Sequence, residues 1–149
     1  MPKNSSSKSA PGFSLLELLV VISIIGILIA IGTVAFTTAQ RTSRDSRRRA
    51  DIKSMQDAFE QYMADNGTYE DCATMAAYDS GSGAVMPAGL PVDPRNTGDY
   101  VYNTGAGCTT NGYCICAFLE GGTGNAEAPS VDVCTYAAAG GYYCLSDRQ

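Results

Sequence analysis

From Phe13 to Phe36, twenty-four residues run without a Lys, Arg, Asp or Pro. As a helix this stretch rises about 36 Å, enough to cross the hydrocarbon of a bilayer. A helix that is apolar all round has no wet face, so it must be covered by lipid or by other apolar helices. One carboxylate, Glu17, stands near its start. A charge inside such a segment costs at least a few kcal/mol unless it is paired or lies at the edge. Glu17 therefore asks for a cationic partner. Gly26 and Gly32 interrupt the run, each weakening a helix by about 1 kcal/mol relative to Ala.

Helical character continues beyond Phe36. Residues 37–65 contain neither Gly nor Pro. Ile52, Met55, Phe59 and Tyr62 recur at spacings of three and four and form one apolar stripe, which needs a surface to lie on. Asn66-Gly67 supplies the stop signal. The expectation is a nearly continuous helix over Phe13–Asn66, about 80 Å at helical rise. Beyond it, Gly81, Gly83, Pro87, Gly89, Pro91, Pro94 and Gly98 punctuate a loop, with one short helical turn expected over Cys72–Tyr78. Strands are expected at Tyr100–Tyr102, Tyr113–Glu120, Val131–Ala137 and Gly141–Leu145, with Asn111-Gly112 as a tight-turn signal. In the second of these, Cys114, Cys116 and Phe118 share one face, and Ile115, Ala117 and Leu119 the other. The fold class is α+β: a long N-terminal helix, membrane-spanning in its first half, packed through its second half on a small antiparallel sheet. The segments are a leader at 1–12, an apolar helix at 13–36, an amphipathic helix at 37–66, and a loop-and-sheet head at 67–149.

Charge is unevenly placed. Residues 41–53 carry six basic residues against two acidic ones, while residues 54–149 carry twelve acidic against two basic. An acidic head does not suit nucleic acid, whose phosphates need Lys and Arg. The Arg41–Arg49 cluster reads either as a solvated or lipid-headgroup-facing stretch, or as a surface for the acidic heads of neighbouring chains. All six cysteines, Cys72, Cys108, Cys114, Cys116, Cys134 and Cys144, lie in the head. An even number beyond a membrane segment reads as a disulfide framework in an oxidising compartment. Zinc is less suited, because there is no histidine and Cys114-Ile115-Cys116 lacks the two-residue gap of a zinc knuckle.

Ordinary secretory signals are cut after their apolar core. Here the cut signal, Ala10-Pro11-Gly12-Phe13, precedes it. That order, with Gly12-Phe13-Ser14-Leu15-Leu16-Glu17, resembles the N-terminus of type IV pilins and type II secretion pseudopilins. The resemblance implies cleavage between Gly12 and Phe13 by a membrane-embedded prepilin peptidase, methylation of the new Phe13 amine, and a role for Glu17 in filament assembly. Tyr62–Tyr69 resembles the helix exit of the same proteins, and Leu90–Pro94 with Tyr100–Tyr102 their passage from loop to sheet. Many members carry Pro at the position of Val34, and this chain does not.

The resemblance implies a precursor held in the cytoplasmic membrane with its N-terminus in the cytoplasm, and an extracellular homo-oligomeric filament built by pilus assembly machinery. Lys3 and Lys8 agree with that orientation. The Arg41–Arg49 cluster opposes it on a plain positive-inside count, and cysteine placement outweighs the count. Without histidine, Ser-His-Asp and Cys-His sites are excluded, and no carboxylate spacing marks an acid–base pair. The chain is read as no enzyme and as needing no cofactor. Calcium binding, frequent in major pseudopilins, would fall to Asp132, Asp147 and the loop around Glu127, which lack the spacing of a known calcium loop. A structural pilus subunit is expected. A pseudopilin or a minor DNA-uptake pilin is the alternative, and a membrane-tethered binding domain is the alternative from another class.

Overall fold

The computed structural model describes residues 12–104, 107–129 and 133–148. The leader through Pro11, with Lys3 and Lys8, and the residues Val131 and Asp132 lie outside the described residues. Five elements follow in order: α1 (Leu15–Asn66), α2 (Cys72–Ala76), β1 (Cys108–Thr109), β2 (Gly112–Phe118) and β3 (Tyr142–Ser146). The strands form one antiparallel sheet in the order β1-β2-β3. This is an α+β architecture with a long N-terminal helix. Two compact units divide the chain between Thr38 and Ala39.

In the first unit, α1 is unbroken through Gly26 and Gly32. Its apolar side chains, from Phe13 through Leu19, Ile25 and Ile31 to Phe36, are all exposed. The hydroxyls in this stretch turn back onto the helix. Ser23 donates to the Leu19 carbonyl at 2.7 Å, and Thr33 to that of Ala30 at 3.0 Å. Such back-bonding removes the donors that would be costly in hydrocarbon.

The second unit holds the core. The stripe Ile52, Met55, Phe59, Tyr62 is buried against Tyr69, Met75, Tyr102, Tyr113, Ile115 and Ala117. Aromatic edges fix the contact: Phe59 meets Tyr113 at 5.3 Å between ring centroids, and Tyr62 meets Tyr78 at 5.0 Å. Each such side chain contributes about 1.5–3 kcal/mol by leaving water. Alternation along β2 works as the two-residue period requires. Tyr113, Ile115 and Ala117 face α1, while Cys114 and Cys116 face a second, smaller cluster with Ala126, Cys134, Cys144 and Tyr142.

The sheet departs from the strands expected in the sequence. Tyr100–Tyr102 is no strand; a single bridge joins Thr97 to Tyr100. The reason lies next along the chain. The Asn103 amide donates to the Cys114 carbonyl at 2.9 Å and accepts from the Cys116 N–H, so a side chain takes the place of a neighbouring strand on that edge of β2. Asn125 does the same on the edge of β3, donating to the Cys144 carbonyl at 2.9 Å and accepting from its N–H at 2.7 Å. Of the segment expected at Val131–Ala137, the described part makes only a bridge between Tyr136 and Ala126. The turn between β1 and β2 is Thr110-Asn111, because Thr109 pairs directly with Gly112 and makes it the first residue of β2. Glycine is required at Gly140, where a β-carbon would run into the Ala126 carbonyl. That close approach lets the 124–126 segment cover the second face of the sheet.

Candidate functional site

The assembly residues named from the sequence sit at the start of α1. Gly12 and Phe13 precede the helix and are exposed. Ser14 follows, and its carbonyl accepts from the Leu18 N–H at 3.2 Å. The Glu17 carboxylate reaches back to the Ser14 N–H at 3.3 Å. This is one arm of a capping box, Ser-x-x-Glu, in which a carboxylate satisfies an orphan donor at the positive end of the helix. Glu17 therefore has a partner within its own chain, one residue from Phe13. Sequence reasoning placed Glu17 either at the membrane edge or against a cationic partner and did not look within the helix, although the Ser14-x-x-Glu17 spacing was legible. No described residue of the first unit covers the apolar side chains that follow, and α1 is the helix among the described residues long and apolar enough to cross a membrane.

In the second unit α1 is anchored to the head by ion pairs. Arg48 is fully buried. Its Nε donates to Asp93 at 2.6 Å and its Nη2 to the other Asp93 oxygen at 3.1 Å. Its Nη1 serves Asp45 at 2.8 Å and Glu120 at 2.9 Å. Arg44 forks onto both oxygens of Glu120, each at 2.7 Å. Asp45 in turn accepts from the N–H groups of Glu120 and Gly121, each at 2.9 Å. The Tyr100 ring meets two guanidinium groups, Arg48 at 4.7 Å from its centroid and Arg95 at 4.2 Å. Among the described residues no buried side-chain nitrogen or oxygen is left without a hydrogen bond.

The electrostatics follow from these contacts. Hydrogen bonds from Arg44, opposed by burial and helped by Arg48, lower the Glu120 carboxyl to about 2. Burial works against ionisation of Asp93, but hydrogen bonds from Arg48 and the Arg95 N–H outweigh it and hold its carboxyl below the usual range. Burial also works against the charge on Arg48, and its bonds to Asp93, Glu120 and Asp45 raise it further above its ordinary value. All these groups stay charged at neutral pH.

This cluster adds a role that neither sequence reading of Arg41–Arg49 gave: Arg44, Arg48 and Arg49 engage the chain's own head. Arg49 donates to the Thr123 carbonyl at 2.9 Å and lies 5.2 Å from the Tyr143 ring. Arg41 remains exposed, and Arg47 lies 3.8 Å from Asp51.

A second set of polar contacts ties down the C-terminal end. Glu60 accepts from the Tyr113 hydroxyl at 2.6 Å, from Tyr69 at 3.2 Å and from the Arg148 N–H at 3.2 Å. Burial and the Glu60 carboxylate push the Tyr69 hydroxyl up to about 12, so it remains a donor. Gln56 donates to the Ser146 carbonyl at 2.7 Å.

The six cysteines form three bridges: Cys72–Cys108, Cys114–Cys134 and Cys116–Cys144. The first ties α2 to β1, the second ties β2 to the 133–134 segment, and the third crosses between paired residues of β2 and β3. Of the oxygens considered for calcium, Asp132 lies outside the described residues, Glu127 is exposed and Asp147 is half-buried.

These features have known counterparts. The family model for the prokaryotic N-terminal methylation motif matches residues 7–33. The chain is 31% identical over 116 residues to the type IV wide pilus major component PilA4 of Thermus thermophilus, covering 78% of this chain and 79% of that protein. It is 30% identical over 106 residues to the type IV major pilin protein PilA of Myxococcus xanthus, covering 67% of this chain and 48% of that protein. No solved structure matches. An apolar helix led by the methylation motif, an α+β head, and this identity over most of a pilin's length place the chain in the type IV pilin family.

Proposed function

We propose that this chain is a major structural subunit of a type IV pilus. It is made as a precursor with its N-terminus in the cytoplasm, cut between Gly12 and Phe13, methylated at the Phe13 amine, and polymerised through its apolar helix. The observation that carries this reading is the apolar surface from Phe13 along α1 to Phe36, which no described residue covers and which carries a methylation motif at its start. Lipid covers such a surface in the precursor, and like helices cover it in a filament. Both relatives are major pilins, which supports a pilus over a secretion pseudopilus and a major over a minor subunit.

Glu17 gives the assembly its register. Capped onto the Ser14 N–H, it enters the membrane at reduced cost. In the filament it pairs with the cationic Phe13 amine of the next subunit, and an offset that misses the pair leaves a charge in apolar surroundings. The test is expression of the full chain with a pilus assembly machinery, followed by shearing, microscopy and membrane fractionation. Filaments are expected from the natural sequence. Glu17→Ala should insert and make few or none, and Glu17→Asp, which keeps the charge but not the reach, should make fewer. Accumulation of the natural chain in the membrane with no filament would overturn the proposal. Normal filaments from Glu17→Ala would remove the pairing alone.

A further inference from the structure

Cys114 and Cys116 are two residues apart on β2, so the period of the strand sends both sulfurs to one side. Cys144 sits opposite Cys116 in the ladder, and Cys134 reaches the same place from outside the sheet. The Sγ atoms of Cys114 and Cys116 are 3.7 Å apart, and all four sulfurs lie within 4.8 Å of one another. All four residues are buried, with Ala126 and Tyr142 as their apolar neighbours. Cys72 and Cys108 belong to the other cluster, with α1.

We propose that, when the Cys114–Cys134 and Cys116–Cys144 bridges are reduced, these four cysteines form a closed tetrathiolate site for one soft divalent cation, zinc foremost. A tetrahedral zinc with bonds of about 2.3 Å holds its sulfurs about 3.8 Å apart, the spacing Cys114 and Cys116 already have. The bonded pairs must separate by under about 2 Å from disulfide length, and the remaining pairs, all within 4.8 Å, need only close to the same spacing. The short Cys-x-Cys spacing is no obstacle here. A zinc knuckle needs two intervening residues to turn the chain, whereas a strand aligns positions i and i+2 without a turn. The chemistry balances as follows. Two molecules of a dithiol reductant convert two disulfides into four thiols and become two disulfides themselves. Binding one zinc ion then releases the four thiol protons. Each sulfur serves either a bridge or the metal, so the metal-bound and oxidised forms exclude each other, and the site belongs to the chain before its bridges close.

The experiment uses the full chain in detergent micelles, reduced anaerobically with a dithiol, freed of reductant, and titrated with cobalt(II). One cobalt per chain with a tetrathiolate spectrum, displaced by zinc, is expected, and none of that spectrum from the oxidised chain. Zinc should slow alkylation of Cys114, Cys116, Cys134 and Cys144 in the reduced chain relative to the same chain without zinc, and leave the rates at Cys72 and Cys108 unchanged. Cys72→Ser with Cys108→Ser should keep the spectrum, and Cys116→Ser with Cys144→Ser should lose it. A reduced chain without a tetrathiolate spectrum, or protection spread equally over all six cysteines, would overturn the proposal.

Discussion

A guanidinium removed from water costs several kcal/mol unless its donors are met by well-placed acceptors, and Arg48 meets three carboxylates at 2.6–3.1 Å. Removing one partner from such a cluster leaves charges buried and unpaired. Arg48→Ala should therefore destabilise the head by about 3–5 kcal/mol, measured by urea unfolding of the full chain in micelles. Arg47→Ala, with its side chain largely exposed, should change stability by no more than about 0.5 kcal/mol. Glu120 sets a pH dependence. Its carboxyl falls from an ordinary 4.5 to about 2 in the folded chain, so its contribution is complete above the ordinary value and is lost as pH falls toward about 2. Unfolding followed between pH 5 and pH 2 should show stability dropping in that window, and Glu120→Gln should flatten the drop while lowering stability at neutral pH. An unchanged slope in that variant would mean another carboxyl governs the acid limb. The cluster was half legible in the sequence. Asp45 and Arg48 stand three and four residues apart in the same phase as Ile52, Met55, Phe59 and Tyr62, so the buried stripe extends two steps further than its apolar members. Polarity concealed it, because an Arg in phase with a core stripe reads as solvated until its carboxylate partners, 45 and 72 residues away, are known.

At the scale of elements, the long helix, its stop at Asn66 and the short α2 were readable because each depends on local signals: period, Gly67 and the Asp71 side chain, which accepts from the Ala73 and Thr74 N–H groups. The sheet was less so. Which strands pair depends on contacts far along the chain, and here the Asn103 and Asn125 amides close edges that the sequence reading filled with strands. The cysteine framework was visible in composition, but its pairing was not, since register alone puts Cys116 opposite Cys144. Two expectations follow. Phe59→Ala, which empties the centre of the stripe beneath Tyr113, should cost about 3–5 kcal/mol; a loss within 1 kcal/mol would mean the helix is held mainly by its ion pairs. Cys72→Ser with Cys108→Ser opens a bridge spanning 36 residues and should cost about 2–4 kcal/mol. Peptide mapping of the unreduced chain checks the three pairings themselves.

Across the whole molecule the two units manage their surfaces in opposite ways. The head meets its own buried charges within the chain and closes its sheet edges with amides. The helix N-terminal to Thr38 leaves every apolar side chain outward. Under the proposed function that contrast gives the chain two homes, a bilayer and a bundle of like helices, with the passage between them set by cleavage between Gly12 and Phe13. The most direct test is the intact mass and N-terminal sequence of the protein sheared from cells as filaments. The account predicts a single species that has lost Met1–Gly12, begins at Phe13 with a methylated amine, and contains no free thiol. A filament protein that retains Met1–Gly12, or begins after Ala30 or Ala35, would contradict it.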